Sequence, residues 1–387
     1  MNKFVINRHN IKNNPTISYN PEEIQLVHRF LPGYHPTPLI SLDNLSRKLG
    51  VKSILVKDEA HRFGLKAFKV LGASYAIYDF FKTEWEADHD KSFEFNDWLA
   101  GKYSGLYTFC TATDGNHGRA VAWMAKLTGQ KAQIFMPRGT VPARIENIKN
   151  EGAEVTVVDG IYDEALAYMA DKAEKNGWIV ISDTAYEGYT EIPKNIMAGY
   201  STLFDEIINT AVYKEKGPPD LIILQGGMGA FAASGVLFAC DQFRERMPEI
   251  VVVEPTAAAC LTESAATVDG HMTTASGNSE TIMAGLNCAT PSPLPWPILR
   301  DNIDLFLALD DEWAVKAMRR YYYPEKEDTR IISGESGAAS LAALLALIED
   351  DNLIPAREYL HINNESKVLL INTEGDTDPE GFKKVIG

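Results

Sequence analysis

The stretch from Leu221 to Ala232 reads LIILQGGMGAFA and decides the fold. A mostly aliphatic run ends at Gln225, and glycine fills three of the next four positions. This order predicts a buried strand, a tight turn and the start of a helix, because glycine supplies the backbone freedom that such turns need. A strand that leads through a glycine turn into a helix is typical of β-α-β units, so the stretch predicts an α/β protein.

The same alternation of strand and helix patterns continues along most of the chain. The predicted strands are Ser53–Val56, Leu106–Cys110, Ala132–Phe135, Glu154–Val158, Trp178–Ile181, Leu221–Leu224, Ile250–Val253 and Val368–Ile371. The predicted helices include Gly118–Leu127, Val141–Asn150, Asp163–Lys175 and Gly229–Arg246. Helix-length crossovers between strands indicate parallel pairing. We therefore expect two lobes, each with an open, mostly parallel sheet flanked by helices, and an active site in the cleft between them.

The predicted domain boundaries follow from this alternation and from two irregular stretches. Residues 1–75 and 205–387 are expected to form a large domain, and residues 76–204 a small one. The stretch Glu84–Tyr103 is polar and aromatic without a clear period, which indicates an insertion near a domain edge. The stretch Gly270–Pro297 combines glycine and proline with small residues, which predicts a loop.

Composition excludes several classes of partner. The 387 residues contain 37 Lys and Arg against 53 Asp and Glu, a formal net charge of −16, which argues against nucleic acid or an anionic membrane surface. The longest strongly apolar run, Ala338–Ile348, is too short to span a bilayer, and the N-terminus lacks an apolar signal segment. The cysteines are scattered at Cys110, Cys240, Cys260 and Cys288, which predicts reduced thiols in a cytoplasmic protein without a metal site.

The glycine turn after Gln225 has three interpretations. The free N–H groups and positive dipole end of the following helix suit a phosphate. The pattern Gly227-x-Gly229-x-x-Ala232, with Glu254 ending the next strand, also fits a dinucleotide fingerprint and would predict NAD. A tight turn without any ligand is the third interpretation.

A second polar turn follows the predicted strand that ends at Cys110. The stretch Thr111–Arg119 reads TATDGNHGR, and its Asp, Asn and Gly residues predict exposed helix N-terminal donors suited to a substrate carboxylate. His117 by itself is more typical of a packed, hydrogen-bonded histidine than of a catalyst.

Two further features carry candidate chemistry. Lys66 and Lys69 lie where a helix is predicted to begin; either both are solvated, or one is buried near a phosphate site and supplies a nucleophilic amine. Acidic and hydroxyl residues also follow strands at Ser182–Tyr189 and Asn372–Pro379. Asp183 in the first of these stretches could bind a ligand or cap a helix.

Taken in chain order, these segments resemble the fold-type II pyridoxal-phosphate enzymes, the group of tryptophan synthase β, serine racemase and threonine dehydratase. Within that group, five longer motifs resemble the diaminopropionate ammonia-lyases. The motifs are Arg62–Lys69 (RFGLKAFK), Thr111–Arg119, Asp183–Pro193, Ser333–Gly337 and Thr373–Asp378. The likeness extends from about Phe30 to the C-terminus.

The resemblance implies a pyridoxal 5'-phosphate site, held mainly by the large domain. Lys69, the second of the two lysines, matches the Schiff-base lysine, and Asn116 would bond the phenolic oxygen of the cofactor. Glu335 lies in a segment that lines the cofactor in this family. Asn372 stands where serine is usual, so Asn372 and Thr373 are both candidates for the partner of the ring nitrogen. The expected phosphate-binding residues are Gly226, Gly227, Met228, Gly229 and Ala230.

The resemblance also implies a set of substrate residues on the small domain. Gly115 and His117 would offer backbone N–H groups to the substrate carboxylate. Asp114 replaces the Ser or Thr of the dehydratases, and a carboxylate there can hold a substrate ammonium or remove the Cα proton of a D-substrate. Asp183 would bind or help to protonate the leaving amine. The expected substrate-binding residues are Thr113, Asp114, Gly115, His117 and Asp183, and the expected catalytic residues are Lys69, Asp114 and Asp183.

The implied reaction is an α,β-elimination that converts 2,3-diaminopropionate, as the L- and also the D-enantiomer, to pyruvate and ammonia in a homodimeric enzyme. Dehydration of serine or threonine is the alternative within the same class. An NAD-dependent oxidoreductase, built on the glycine turn and Glu254, is the alternative from another class. A catalytically inactive relative is disfavoured, because Lys69, Asp114 and Asp183 are all present.

Overall fold

The computed structural model describes residues 2–13, 15, 19–88, 92–160, 162–244 and 246–387. The chain forms two compact units. Unit 1 comprises Met1–Asn20, His35–Phe68 and Ser201–Gly387, and unit 2 comprises Pro21–Tyr34 and Lys69–Tyr200.

Each unit is built on its own sheet. The strands are β1 (Lys3–Ile6), β2 (Leu39–Ser41), β3 (Ser53–Asp58), β4 (Thr108–Ala112), β5 (Lys131–Pro137), β6 (Glu154–Val158), β7 (Ile179–Val180), β8 (Leu221–Gln225), β9 (Glu249–Pro255), β10 (Leu305–Leu309) and β11 (Lys367–Asn372). Unit 1 has the strand order β1-β10-β9-β8-β11-β3-β2, and unit 2 has the order β6-β5-β4-β7. All pairs are parallel except those of β1 and β2, which pair antiparallel at the two edges of the larger sheet.

Helices connect and cover these strands. Their bounds are α1 (Pro21–Phe30), α2 (Asp43–Leu49), α3 (Lys69–Asp88), α4 (Phe95–Leu99), α5 (Asn116–Leu127), α6 (Pro142–Asn150), α7 (Tyr162–Asn176), α8 (Glu191–Gly199), α9 (Ser201–Ile208), α10 (Ala211–Lys216), α11 (Ala230–Gln242), α12 (Cys260–Ala266), α13 (Trp296–Asn302), α14 (Asp311–Tyr322), α15 (Ala339–Glu349), α16 (Ile354–Tyr359) and α17 (Pro379–Ile386). Within the described ranges, no helix has both the length and the apolar character required for a membrane span.

The bounds of the units differ from the predicted domains in three places, and one of them is the end of unit 2, which falls after Tyr200 rather than after residue 204. Residues 21–34 belong to unit 2, because α1 buries Ile24 and the His28 Nε2 atom lies 2.9 Å from the carbonyl oxygen of Leu71 in α3. The first boundary falls before Lys69 rather than after residue 75, because α3 packs along its length against α5 and α8 of unit 2. The division into a cofactor domain and a substrate-loop domain stays a prediction.

The apolar run noted in the sequence at Ala338–Ile348 forms the core helix of unit 1. Residues 339–347 of α15 are buried on every side, as expected for a helix that is apolar all round. This helix packs against β8, β9, β10 and β11. The run therefore covers one face of the large sheet.

All eight predicted strands occur, but three strands escaped prediction. β10 reads LFLAL and lacks β-branched residues, so its composition resembles a helix. β2 has only three residues, and β1 lies in a polar N-terminal segment. These three strands are specified by their pairing in the sheet rather than by local sequence.

The stretch 84–103 is not irregular, because it contains two helical segments, and its being an insertion stays a prediction. Helix α3 extends through its first part and α4 occupies its middle, while residues 89–91 lie outside the described residues. Trp98 of α4 is fully buried, and its ring centroid lies 5.3 Å from that of Phe81 in α3. The aromatic residues thus pack the two helices together. The loop predicted at Gly270–Pro297 is confirmed up to the start of α13, with only a short 3-10 turn in its described residues.

Charged side chains form a buried network in unit 1. Arg62 donates from Nε to Glu59 Oε2 and from its two terminal nitrogens to the two oxygens of Glu206, each at 2.8 Å. Lys57 Nζ donates to Glu206 Oε2 at 2.5 Å and to Thr37 O at 2.8 Å. Burial alone would raise the pKa of Glu206, but Arg62 and Lys57 lower it to about 2. The network balances two positive side chains against two negative ones.

Replacing Glu206 with Gln is expected to lower the free energy of unfolding by about 3–5 kcal/mol, because it leaves buried positive charge without compensation. Urea unfolding monitored by circular dichroism measures this loss. The control is Glu215→Gln, since the Glu215 side chain is 76% exposed, and a change within about 0.5 kcal/mol is expected there. Equal effects of the two substitutions would contradict the stabilising role. In the unaltered protein, the contribution of Glu206 is expected to be lost as the pH falls from about 4.5 to about 2.

Candidate active site

Lys69 is the first residue of the second segment of unit 2 and begins α3. Its Nζ lies 2.6 Å from Asp183 Oδ2, and the two side chains are 22% and 10% exposed. The Tyr200 ring lies beside the same amine, with its centroid 6.0 Å from Nζ. Close packing of α3 and α8 produces this proximity, because a Cβ atom added at Gly199 would lie 2.4 Å from Leu71 O. Lys69 is therefore a shielded amine that faces a carboxylate.

Lys66 has a different environment, in unit 1. Its φ is +60°, and its Nζ forms a partly exposed ion pair with Asp376 Oδ1 at 2.7 Å. The neighbouring backbone is anchored to the chain after β11, since Gly375 N donates to Lys66 O at 2.9 Å and Phe68 N donates to Thr373 O at 3.2 Å. Of the two lysines, only Lys69 lies beside a buried carboxylate.

Asp183 lies shortly after β7 and is buried in unit 2. Burial alone would raise the pKa of its carboxyl, but the positive charge of Lys69 and its hydrogen bond to the carboxylate hold this pKa well below its usual range. The carboxyl is consequently ionised and suited to binding a cation.

Asp114 lies in the turn between β4 and α5. Its carboxylate has no hydrogen bond or ion pair with any part of the chain that the structure describes. Burial raises the pKa of Asp114 to about 6, with Arg144 acting against the rise and Asp183 adding to it. A carboxyl of this pKa can accept and release a proton near neutral pH.

The N-terminus of α5 forms the rest of this turn. Thr113 Oγ1 accepts hydrogen bonds from Gly115 N at 3.0 Å and from Gly118 N at 3.2 Å, so this hydroxyl oxygen caps the helix. A Cβ atom at Gly118 would lie only 2.3 Å from Thr113 Cγ2, which requires glycine there. Asn116 is the first helical residue. The contacts of Thr113, Gly115 and Asn116 with a ligand stay predictions.

The His117 ring is buried and packed. Its Nε2 lies 2.7 Å from Ile181 O, and because a carbonyl oxygen only accepts, Nε2 carries the proton. Burial lowers the pKa of His117, so the ring is neutral. Its side chain therefore helps to hold the chain before Asp183, whereas the predicted substrate contact involves only its backbone N–H.

Unit 1 contains the glycine turn, between β8 and α11. Gly227 and Gly229 have φ angles of +59° and +106°, which favour glycine. A Cβ atom at Gly226 would lie 2.7 Å from Glu254 Cγ, and one at Gly229 would lie 2.8 Å from Leu299 Cδ1. The first N–H groups of α11 have no partners within the helix, so this narrow turn can receive a phosphate.

Glu254 does not fit the dinucleotide interpretation of that turn. Its fully buried carboxylate accepts hydrogen bonds from Leu261 N at 3.0 Å and from Thr262 N and Oγ1, both at 2.7 Å. Burial raises the pKa of Glu254 to about 7. The buried carboxylate caps the N-terminus of α12. It is therefore not available to bind the hydroxyl groups of a ribose.

Asn372 ends β11 in unit 1, and Thr373 follows it directly. The Asn372 amide donates to Asp58 Oδ1 at 2.7 Å and to Ile332 O at 3.2 Å, and its Oδ1 accepts from Ser333 Oγ at 2.7 Å. Both donor hydrogens of this amide are therefore used. The Thr373 hydroxyl makes no hydrogen bond within the described residues, which leaves it available to a ligand.

Glu335 is buried in the segment between α14 and α15. Its Oε1 would lie 3.0 Å from a Cβ atom added at Gly381, which places the carboxyl beside the start of α17. The adjacent Ser336 N donates to Glu374 Oε1 at 3.2 Å. A role for Glu335 at the cofactor stays a prediction.

Comparison with known proteins identifies the class. Residues 30–365 match the family described as pyridoxal-phosphate dependent enzyme, and the chain belongs to that family. The diaminopropionate ammonia-lyase of Escherichia coli K12 is 42% identical over 361 residues, which cover 93% of this chain and 89% of the relative. This relationship places the chain with the diaminopropionate ammonia-lyases.

Solved structures agree with this assignment. The crystal structure of the Escherichia coli diaminopropionate ammonia-lyase in complex with D-serine has a TM-score of 0.91 at 38% identity and covers 100% of this chain and 97% of its own. The same enzyme in complex with an aminoacrylate-PLP azomethine reaction intermediate has a TM-score of 0.90 at 39% identity, with the same coverage. The predicted fold class and cofactor are thereby confirmed.

The residues present fit pyridoxal phosphate. Unit 2 offers the shielded primary amine of Lys69, which can bond the cofactor aldehyde. Unit 1 offers a turn at the N-terminus of a thirteen-residue helix, in which Gly226 and Gly229 leave no space for a Cβ atom. It also offers the uncharged hydroxyl of Thr373.

Sequence reasoning missed two neighbours of these residues. Arg144 in α6 donates to Asp114 O at 3.4 Å, and Tyr200 lies beside Lys69. Neither belongs to a recognisable motif, because the packing of helices creates both proximities. The available signal was glycine inside α3 and α8, at Gly72 and Gly199, since glycine within a helix often marks close packing.

Proposed function

We propose that this protein is a carbon–nitrogen lyase that uses pyridoxal 5'-phosphate to convert 2,3-diaminopropionate, as either enantiomer, to pyruvate and ammonia. One arrangement in unit 2 carries the proposal: Lys69 faces the ionised Asp183, while Asp114 has no partner among the described residues and a pKa of about 6. The 42% identity with the Escherichia coli diaminopropionate ammonia-lyase supports the choice of substrate.

The chemistry requires three things of the protein. Pyridoxal phosphate, when bound, supplies a sink for the electrons left at Cα. A base must remove the Cα proton, and the Lys69 amine serves the L-enantiomer. The β-nitrogen must leave as neutral ammonia, because amide ion is far too basic to depart, so this nitrogen must be protonated when its bond to carbon breaks.

The opposite pKa shifts of Asp183 and Asp114 indicate different roles for these two carboxyl groups. Asp183 is ionised and only weakly basic, so it suits electrostatic binding of the cationic β-nitrogen rather than proton donation. Asp114 titrates near neutral pH and suits proton transfer, here from the Cα of the D-enantiomer. Elimination releases an enamine that water hydrolyses, so diaminopropionate and one water give pyruvate and two molecules of ammonia.

We assign the ring-nitrogen contact to Thr373, because the amide hydrogens of Asn372 are used by Asp58 and Ile332. A hydroxyl is an uncharged partner, which leaves the ring nitrogen largely unprotonated. That state is adequate for elimination and poor for transamination.

The direct test is release of pyruvate and ammonia by the purified protein with pyridoxal phosphate. The substrates are D- and L-2,3-diaminopropionate, D- and L-serine and L-threonine. We expect turnover of both diaminopropionate enantiomers with little turnover of the hydroxy amino acids. Turnover of serine or threonine alone would instead place the enzyme with the dehydratases, and a colourless protein that binds NAD would indicate an oxidoreductase.

We also propose a cytoplasmic homodimer. The scattered cysteines support a reducing compartment, and all four are free thiols. The resemblance to a family of dimers supports the oligomeric state. Sedimentation equilibrium of the holoenzyme tests it, and a mass near 42.8 kDa would indicate a monomer instead.

Replacing Asp183 with Asn is expected to lower kcat for both diaminopropionate enantiomers about 100-fold, because a neutral amide cannot hold the cationic leaving group. Steady-state pyruvate release measures the effect. The control is Asp159→Asn in the same unit, since the Asp159 side chain is 85% exposed. Unchanged turnover in Asp183→Asn would rule out the assigned role.

The pH dependence should differ between enantiomers. With D-diaminopropionate, kcat/KM is expected to rise as the pH increases through about 6, because Asp114 must lose its proton before it can accept one from Cα. An Asp114→Asn variant should lack this acid limb in whatever activity remains. A limb of the same midpoint in that variant would show that another group titrates.

A further inference from the structure

A single hydroxyl group anchors the backbone just before Asp183. Tyr189 Oη accepts a hydrogen bond from Ser182 N at 2.9 Å and donates one to Val180 O at 2.9 Å. Burial raises the pKa of Tyr189, so its hydroxyl remains a donor at neutral pH. The one side chain thus spans the end of β7 and the residue that precedes Asp183.

A small hairpin places Tyr189 for this contact. Tyr189 N donates to Tyr186 O at 2.9 Å, and Tyr186 N donates back to Tyr189 O at 3.2 Å. The two rings stack with centroids 4.8 Å apart and an interplanar angle of 14°. Gly188 allows the turn with a φ of +80°. The chain after Asp183 therefore folds back and supports the chain before it.

Ile181, which lies between Val180 and Ser182, is held by a different side chain. Ile181 O accepts from His117 Nε2 at 2.7 Å. Consecutive backbone groups at Val180, Ile181 and Ser182 are thus fixed by side chains, and the next carboxylate lies 2.6 Å from Lys69 Nζ. Such support matters, because a displacement of about 1 Å can cost about 100-fold in rate.

We infer that Tyr189 is a positioning residue for the elimination: its hydroxyl fixes the backbone at Ser182, which directs the Asp183 carboxylate toward Lys69 and the cationic β-nitrogen of the substrate. This inference rests on the proposed function for the identity of the substrate. It does not depend on that function for the geometry of Lys69 and Asp183.

The hairpin itself supplies a matched pair of variants. Tyr189→Phe removes one hydroxyl and both anchoring hydrogen bonds, whereas Tyr186→Phe removes the hydroxyl of the stacked ring, whose side chain is exposed. We expect kcat on L-diaminopropionate to fall about 10- to 100-fold in Tyr189→Phe, with a smaller change in KM, and to stay within about twofold in Tyr186→Phe. Equal kinetics in the two variants would overturn the inference.

A double-mutant cycle separates positioning from a general structural effect. If Tyr189 acts through Asp183, adding Tyr189→Phe to Asp183→Asn should lower kcat no further. If Tyr189 merely stabilises the fold, the two losses should multiply, which would overturn the inference. Thermal unfolding of all four proteins shows whether each is folded at the assay temperature.

A spectroscopic measurement keeps the inference testable if the proposed substrate is wrong. The visible absorption band of the resting holoenzyme reports the charge state at Lys69 Nζ, which the Asp183 carboxylate influences. We expect Tyr189→Phe to shift this band in the unaltered background and to leave it unchanged in the Asp183→Asn background. Absence of pyruvate would then count against the proposed function alone, whereas absence of any shift would count against the role of Tyr189.

Discussion

Replacing Lys69 with Ala is expected to abolish the yellow colour of the purified holoenzyme and to lower diaminopropionate turnover by at least about 10³-fold. The substitution removes the amine that would bond the cofactor and accept the Cα proton. The methyl side chain of alanine can perform neither task. Visible absorption after gel filtration and steady-state pyruvate release measure the two losses.

Lys66→Ala is the control for that substitution. It removes a lysine from the same segment, but the Lys66–Asp376 pair is partly exposed and worth about 1 kcal/mol or less. The variant should stay yellow and retain turnover within about twofold. If Lys66→Ala were colourless and Lys69→Ala yellow, the assignment of the reactive lysine would be reversed.

Asp114 is expected to determine which enantiomer and which leaving group the enzyme handles. Asp114→Thr introduces the residue type of the dehydratases and removes a base whose pKa lies near 6. Turnover of D-diaminopropionate should fall about 10³-fold, and turnover of the L-enantiomer should fall less, because Lys69 still serves it. Any activity on L-serine should change little.

The ratio of rates is the decisive quantity for Asp114. Parallel assays of D- and L-diaminopropionate and L-serine give this ratio without depending on protein yield. The exposed Asp159→Asn variant controls for loss of charge in the same unit. An equal loss on all three substrates would show that Asp114 supports the fold of its turn rather than the chemistry.

The parallel framework could be predicted because its strands are specified locally. The aliphatic runs at β3, β8, β9 and β11 end in polar or glycine residues and were recognisable. β10 was not, because its leucines and alanine favour helix and only pairing with β1 and β9 makes it a strand. The position of the candidate site followed from the same logic, since Asp114 and Asp183 each follow a strand.

The contacts of the site residues could not be predicted in the same way. Glu254 lies near the end of β9 at the spacing expected of a ribose ligand, yet it caps α12. Nothing in its local sequence distinguishes the two uses, because both require a carboxylate at the end of a strand. Likewise, the Tyr189 hydroxyl contacts Ser182 N and Val180 O through a hairpin that no sequence motif indicated.

The glycine turn of unit 1 constrains how enzymes of this design can diversify. Side chains at Gly226 or Gly229 would collide with Glu254 or Leu299, and the backbone conformation at Gly227 disfavours any other residue. Selection should remove substitutions at these three glycines in every such enzyme, whichever amino acid is its substrate, because they would disturb the turn. New substrate preferences must therefore arise elsewhere, and the loops that carry Asp114 and Asp183 are the places where inherited variation can change the chemistry without loss of the cofactor.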